Sequence, residues 1–136
     1  MINLKQIYVL SSLIVFAGFS IAGGDLRVEG RHAGSVESDG TVRISGSNVG
    51  KFDKDGSIRV KGRNAGKVDS SGSIHIDGRY VGKVDSDGTV HKDGSNVGKI
   101  EKDGTVRKNG RNIGSAKGVD PKYAAVIFFF GLFDPY

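Results

Sequence analysis

From Asp25 onward the chain repeats itself every sixteen residues. The blocks are DLRVEGRHAGSVESDG (25–40), TVRISGSNVGKFDKDG (41–56), SIRVKGRNAGKVDSSG (57–72), SIHIDGRYVGKVDSDG (73–88) and TVHKDGSNVGKIEKDG (89–104). A sixth, TVRKNGRNIGSAKGVD (105–120), keeps the pattern for about ten residues and then loses it. Self-similarity at a fixed period means that one supersecondary unit is built repeatedly and shares its core with its neighbours.

Each block carries two short strands and two turns. The second position is Val, Ile or Leu throughout, and the fourth is Val or Ile in the first four blocks, the alternation of a half-buried strand. The sixth position is always Gly, preceded by Glu29, Ser45, Lys61, Asp77, Asp93 or Asn109. A two-residue hairpin turn needs positive φ at both central residues, so this pair predicts the turn. The return strand has apolar residues at the ninth and twelfth positions, which a regular strand would point to opposite faces. A bulge at the tenth-position Gly is expected to bring both to one side. The second turn (ESDG, DKDG, DSSG, DSDG, EKDG) reads as type I closed by a left-handed Gly. It sets each twelfth residue opposite the next block's second, Val68 facing Ile74 and Val84 facing Val90.

The chain is therefore expected to be all-β, a meander of 16-residue β-hairpin repeats, five to six units long. Five complete units with partial strands at both ends suit a closed five-fold ring, in which the terminal strands pair and leave no edge. An open β-solenoid is the structural alternative. Strands of about five residues are too short for a transmembrane barrel, which needs about nine to eleven. The Asp-Gly-Thr-Val and Gly-Arg-Asn-x-Gly-Lys-Val phrases, the count of five and the Phe-rich C-terminus resemble the small secreted bacterial proteins described as five-fold β-flowers. The resemblance covers roughly residues 25–133 and implies architecture, with no activity attached. Lys92 and Lys108 depart from the pattern, standing where an apolar fourth-position residue is expected.

Three segments follow. Residues 1–22 have the plan of a signal peptide: Lys5, an apolar run from about Tyr8 to Phe19, then Ser20-Ile21-Ala22 with small residues where a signal peptidase inspects the chain. An uncleaved anchor is the competing reading, although the run is short for a span. Residues 23–120 form the repeat domain, and residues 121–136 an apolar tail. Cleavage before Gly23 makes the protein secreted, periplasmic or part of a bacterial cell envelope. The chain has no Cys, which excludes disulfides, thiol catalysis and a lipidated N-terminal Cys. With 22 Gly and 37% hydrophobic residues, it cannot build a thick core from the repeats alone.

The tail supplies what the repeats lack. Ala124–Phe133 is a nearly unbroken apolar run holding Phe128, Phe129, Phe130 and Phe133, whereas the repeats offer only Phe52 and Tyr80 as large aromatics. The preferred reading is a plug or cap that fills the ring. Docking to a partner or insertion into a membrane surface competes with it.

The function classes narrow accordingly. The Asp-rich turns DKDG (53–56) and DSDG (85–88) look like pieces of a calcium loop. Each offers two carboxylates where calcium wants six to eight oxygens, so an Asp that caps its own turn is favoured. His75 and His91 share the third position with Arg27, Arg43, Arg59 and Arg107, which marks a solvated basic slot rather than a metal pair. No catalytic motif is found, so no enzyme, cofactor or metal is expected. The basic columns remain: the third position throughout, Arg at the seventh position in four blocks, and Lys51, Lys67, Lys83 and Lys99 at the eleventh. With a net charge of +5, of which Lys5 carries one, these could hold an anionic polysaccharide or another polyanion. Few aromatic platforms accompany them, which disfavours specific nucleic-acid binding. The leading expectation is a non-catalytic envelope or extracellular structural or interaction module. Polyanion binding by the third- and eleventh-position cations is the alternative, and the partner would be an envelope protein or an anionic glycan.

Overall fold

The structure, a computed structural model, describes residues 23–136. The segment 1–22, read above as a signal peptide, lies outside the described residues. Twelve strands follow one another: β1 (Gly24–Val28), β2 (Arg31–Val36), β3 (Thr41–Ile44), β4 (Ser47–Phe52), β5 (Ser57–Val60) and β6 (Arg63–Val68), then β7 (Ser73–Ile76), β8 (Arg79–Val84), β9 (Thr89–Lys92), β10 (Ser95–Ile100), β11 (Thr105–Lys108) and β12 (Arg111–Ser115). Each pairs antiparallel with its neighbours in the chain. β1 also pairs with β12, Arg27 opposite Ser115 and Val28 opposite Gly114, so the sheet closes into a barrel. Closure excludes the open solenoid and leaves no free edge.

The barrel holds six hairpins, which corrects the expected five-fold ring. Ten patterned residues are enough for one hairpin. In the truncated last block Thr105–Lys108 runs out, Asn109-Gly110 turns and Arg111–Ser115 returns. The block's lost second half is needed only for a seventh unit.

The tight turns are as expected. Glu29, Ser45, Lys61, Asp77, Asp93 and Asn109 all have φ of 51–52°, and the Gly after each lies at 80–82°, the paired positive φ of a type I′ turn. The longer turns close with Gly40, Gly56, Gly72, Gly88 and Gly104 at φ 92–93°. The register across them also holds, with Val68 opposite Ile74 and Val84 opposite Val90. The bulge lies one residue earlier than expected. In β10, Asn96 pairs with His91 and Gly98 with Val90, so Val97 at the ninth position is the extra residue. The tenth-position Gly stays in register because its N–H is held locally: Asn48 Oδ1 accepts from Gly50 N at 3.1 Å, and Asn112 Oδ1 from Gly114 N at 3.1 Å.

The second-position residues Leu26, Val42, Ile58, Ile74, Val90 and Val106 are fully buried, and the twelfth-position residues nearly so. Each removes apolar surface worth roughly 1.5–3 kcal/mol, an upper figure because unfolded chains are already partly compact. The tail forms one helix, α1 (Pro121–Phe129). Asp120 caps it by accepting from Lys122 N at 2.9 Å, and Pro121 sits where a missing N–H costs nothing. Residues Ala124 to Phe129 are buried, and they join the apolar residues of all twelve strands in a single cluster. Phe52 and Tyr123 stack with ring centroids 4.3 Å apart.

The tenth-position glycines explain how the tail fits. A Cβ on Gly82 would lie 2.3 Å from the His91 carbonyl oxygen and 2.6 Å from the Phe130 ring. Phe129 packs on Gly98 and Phe133 on Gly50 in the same manner, each 2.6 Å from where a Cβ would stand, and Phe128 approaches Gly114. Lys92 and Lys108 are opposite Gly82 and Gly98, the two glycines that carry Phe130 and Phe129. Apolar cover at those places comes from the tail, so the fourth position is free to be Lys, and Lys92 Nζ lies 5.9 Å from the Phe130 ring centroid. Among the described residues no helix is long and apolar enough to cross a membrane.

Candidate functional site

The barrel's outer face carries the charged columns, and the register decides which remain free. From the second block onward, the long turn brings the third-position cation back over the acid six residues before it. Arg43 Nε donates to Glu37 at 2.5 Å, Arg59 Nε to Asp53 at 2.7 Å, and Arg107 to Glu101. His91 meets Asp85 at 2.9 Å and His75 lies 4.0 Å from Asp69. His75 and His91 thus occupy the same ion-pairing slot as the arginines. Arg27 is exposed and reaches the Gly30 carbonyl at 3.4 Å. The predicted third-position ring is therefore alternating charge along a solvated face.

The eleventh-position lysines are likewise close to acids. Lys83 Nζ is 3.9 Å from Asp85. Lys51, Lys67 and Lys99 lie near Asp39, Asp55 and Asp87, whose carboxyls are held below the usual range. The foremost cause at each is a backbone hydrogen bond, from Thr41, Ser57 and Thr89 respectively, and the lysine adds to it. These bonds are 2.9 Å long and belong to the turns themselves: Thr41 N donates to Asp39, Ser57 N to Asp55, Thr89 N to Asp87 and Thr105 N to Asp103. The Asp-Gly turns spend their carboxylates on their own backbone. Among the described residues no three His, Asp or Glu side chains come together as metal ligands.

Phe128, Phe129, Phe130 and Phe133, read as plug or docking residues, are all buried, between 4% and 8% exposed. They are covered by the glycines and are not offered to solvent.

A further group of cations gathers at the type I′ turns. Arg31, Arg63, Arg79 and Arg111 flank those turns at the seventh position, and all four are exposed. Lys61 sits in a turn, and Lys92 and Lys108 end β9 and β11 at the same rim. One of the four arginines, Arg111, lies 3.7 Å from Glu29 in an exposed ion pair. Sequence reasoning saw the seventh-position column but did not choose it. The available signal was the block spacing, which sets an acid six residues before every third-position cation except Arg27.

Comparison of the chain with protein-family models, with curated proteins and with solved structures gives no match. The fold itself defines the class, a closed antiparallel barrel of repeated hairpins around an apolar core.

Proposed function

We propose that the protein is a non-catalytic structural or interaction module, secreted or held in a bacterial cell envelope, with its Phe-rich tail as the plug of its own barrel. The carrying observation is where the polar chemistry goes. The carboxylates of the long turns bind their own backbone or the neighbouring cation, and the turn-side Asn groups hold the bulges. Polar side chains so used build the scaffold, and little is left to act on a substrate.

The plug is supported by its orientation. At one end Asp120 and Lys122 line a cleft with Ser71 and Ser86 of the long turns. Near the other, Phe130 lies by Lys92 at the type I′ rim. A barrel filled in this way meets its partners with its wall and its two rims. The likeness to the five-fold β-flower proteins is retained as an expectation about architecture, with six hairpins in the ring.

The alternative, a polyanion held by Arg27, Arg43, Arg59 and Arg107 with Lys51, Lys67, Lys83 and Lys99, has weaker support, because acids adjoin most of these cations. The test is capture by immobilised residues 23–136 from envelope extract at low and high salt. One protein retained at both salts is the expected outcome. Capture of anionic polysaccharide alone, at low salt alone, contradicts the leading reading, since polyanion contacts weaken steeply with ionic strength.

A further inference from the structure

Of the charged side chains in residues 23–136, seven cations and three acids stand at the type I′ turns and the positions flanking them. The remaining twelve cations balance twelve acids. Most of the net +4 of this part of the chain is therefore carried by one rim. The three acids there are Glu29, Asp77 and Asp93. Asp134, counted with the remainder, follows the end of α1 that faces this rim and offsets it by one charge.

Distance keeps the rim's field distinct. A strand of four to six residues is roughly 13–20 Å long. The acidic long turns thus lie beyond one Debye length, about 8 Å at physiological salt, from anything that touches the basic rim. Twelve strands spaced about 4.8 Å apart give a ring at least roughly 18 Å across. The cations project from separate hairpin tips around that ring and do not follow a groove, so they suit a flat anionic surface better than a single polymer strand.

A second observation concerns the same rim. Among the described residues the large apolar side chains that are exposed are Tyr80, 59% exposed, and Tyr136, 61% exposed. Tyr80 follows Arg79 directly and stands opposite His75, just behind a type I′ turn. Tyr136 donates its hydroxyl to the Phe128 carbonyl at 2.7 Å, at the C-terminal end of α1, which faces this rim. Tyrosine, with an apolar ring and a polar tip, is the side chain that settles at a membrane–water interface.

We infer that the type I′ rim docks the barrel end-on to an anionic lipid bilayer, with Arg31, Arg63, Arg79 and Arg111 facing the headgroups and Tyr80 and Tyr136 at the interface. This rests on the reading of the protein as an interaction module and adds to its protein partner a second contact surface, an anionic bilayer. Strands of four to six residues cannot span a bilayer, so the contact is peripheral. The attraction follows the surface potential of anionic lipid and is screened by salt.

The test is co-sedimentation of residues 23–136 with vesicles of phosphatidylcholine, with and without phosphatidylglycerol. This part suffices because the twelve strands of the closed barrel, α1 and the buried cluster described above lie within it. Binding is expected only with phosphatidylglycerol, and high salt should release it. Arg63→Glu with Arg79→Glu should weaken partitioning by at least about tenfold, each charge near the surface counting severalfold. The charge-matched pair Lys51→Glu with Lys67→Glu, farther from the rim, should weaken it much less. Equal losses in the two pairs would mean that total charge, not the rim, is responsible, and would overturn the inference. Absence of binding to phosphatidylglycerol vesicles would overturn it as well. Preference for soluble dextran sulfate over vesicles would reassign the rim to an anionic polysaccharide. Neither of these results would touch the capture experiment, which tests the module reading separately.

Discussion

At the scale of single residues, the tenth-position Gly and the tail Phe rings form one device. The Gly lets two strands and a phenyl ring occupy space that a single methyl would close. Gly82→Ala puts a carbon against both the His91 carbonyl and the Phe130 ring, and a backbone oxygen cannot swing aside. Overpacking of this kind costs about 1–3 kcal/mol, to be read from urea unfolding. An unchanged midpoint would mean that the ring does not lie on Gly82. Phe130→Ala should cost about 3–5 kcal/mol, as large-to-small changes in packed cores do. A titration belongs to this scale too. The carboxyls of Asp39, Asp55, Asp87 and Asp103 are held below the ordinary value, about 3.9, chiefly by backbone N–H groups. Their contribution is therefore complete above that value and is lost as pH falls through the lower folded values. Melting temperature should drop as pH goes below about 4, and Asp87→Asn, which keeps an acceptor but does not titrate, should reduce that drop. An identical acid profile for Asp87→Asn would show that this carboxylate takes no part.

At the scale of elements, the hairpin was the most legible unit, because every turn residue it needs recurs at a fixed place. Ser45-Gly46 and Asp77-Gly78 announce type I′ turns by chemistry alone, and the structure supplies the φ values. The bulge was legible in kind but misplaced by one residue. Apolar spacing shows that a residue is extra but not which one, and the choice of Val97 over Gly98 rests on backbone pairing across strands. The tail's apolar run was plain in the sequence. Its helix was also written there, in Asp120-Pro121 as cap and first turn and in Gly131 as a stop at φ 74°, but a period of ten apolar residues hides a face. The ion pairs were missed because the third position and the acid six residues earlier meet only across the second turn. Deleting residues 121–136 should abolish the cooperative thermal transition, since the helix and its Phe rings supply much of the bulk in the buried cluster. A truncated chain that melts as before would mean that the strands pack without it, and would return the tail to the role of a docking segment.

At the scale of the whole molecule, the repeat count and the closure are one question. Six hairpins close because β1 and β12 meet in register; pairing of the terminal strands was legible in the sequence, but the count was not, because the sixth block fades halfway. The charge distribution is a property of this scale too: a column of Arg read along the chain becomes a rim only when the hairpins stand side by side. Closure also removes the free edges through which short strands would recruit other chains. The most direct test of the account uses the chain's lack of Cys. Arg27 and Ser115 are directly opposed across the β1–β12 seam, where antiparallel Cα atoms stand about 4.5–5.5 Å apart, within the reach of a disulfide. The double variant Arg27→Cys, Ser115→Cys should oxidise within a single chain, run as a compact monomer without reductant and melt at a higher temperature than its reduced form. Dimers alone, or thiols that stay free under oxidant, would show that the two ends of the chain do not meet and that the barrel is not closed.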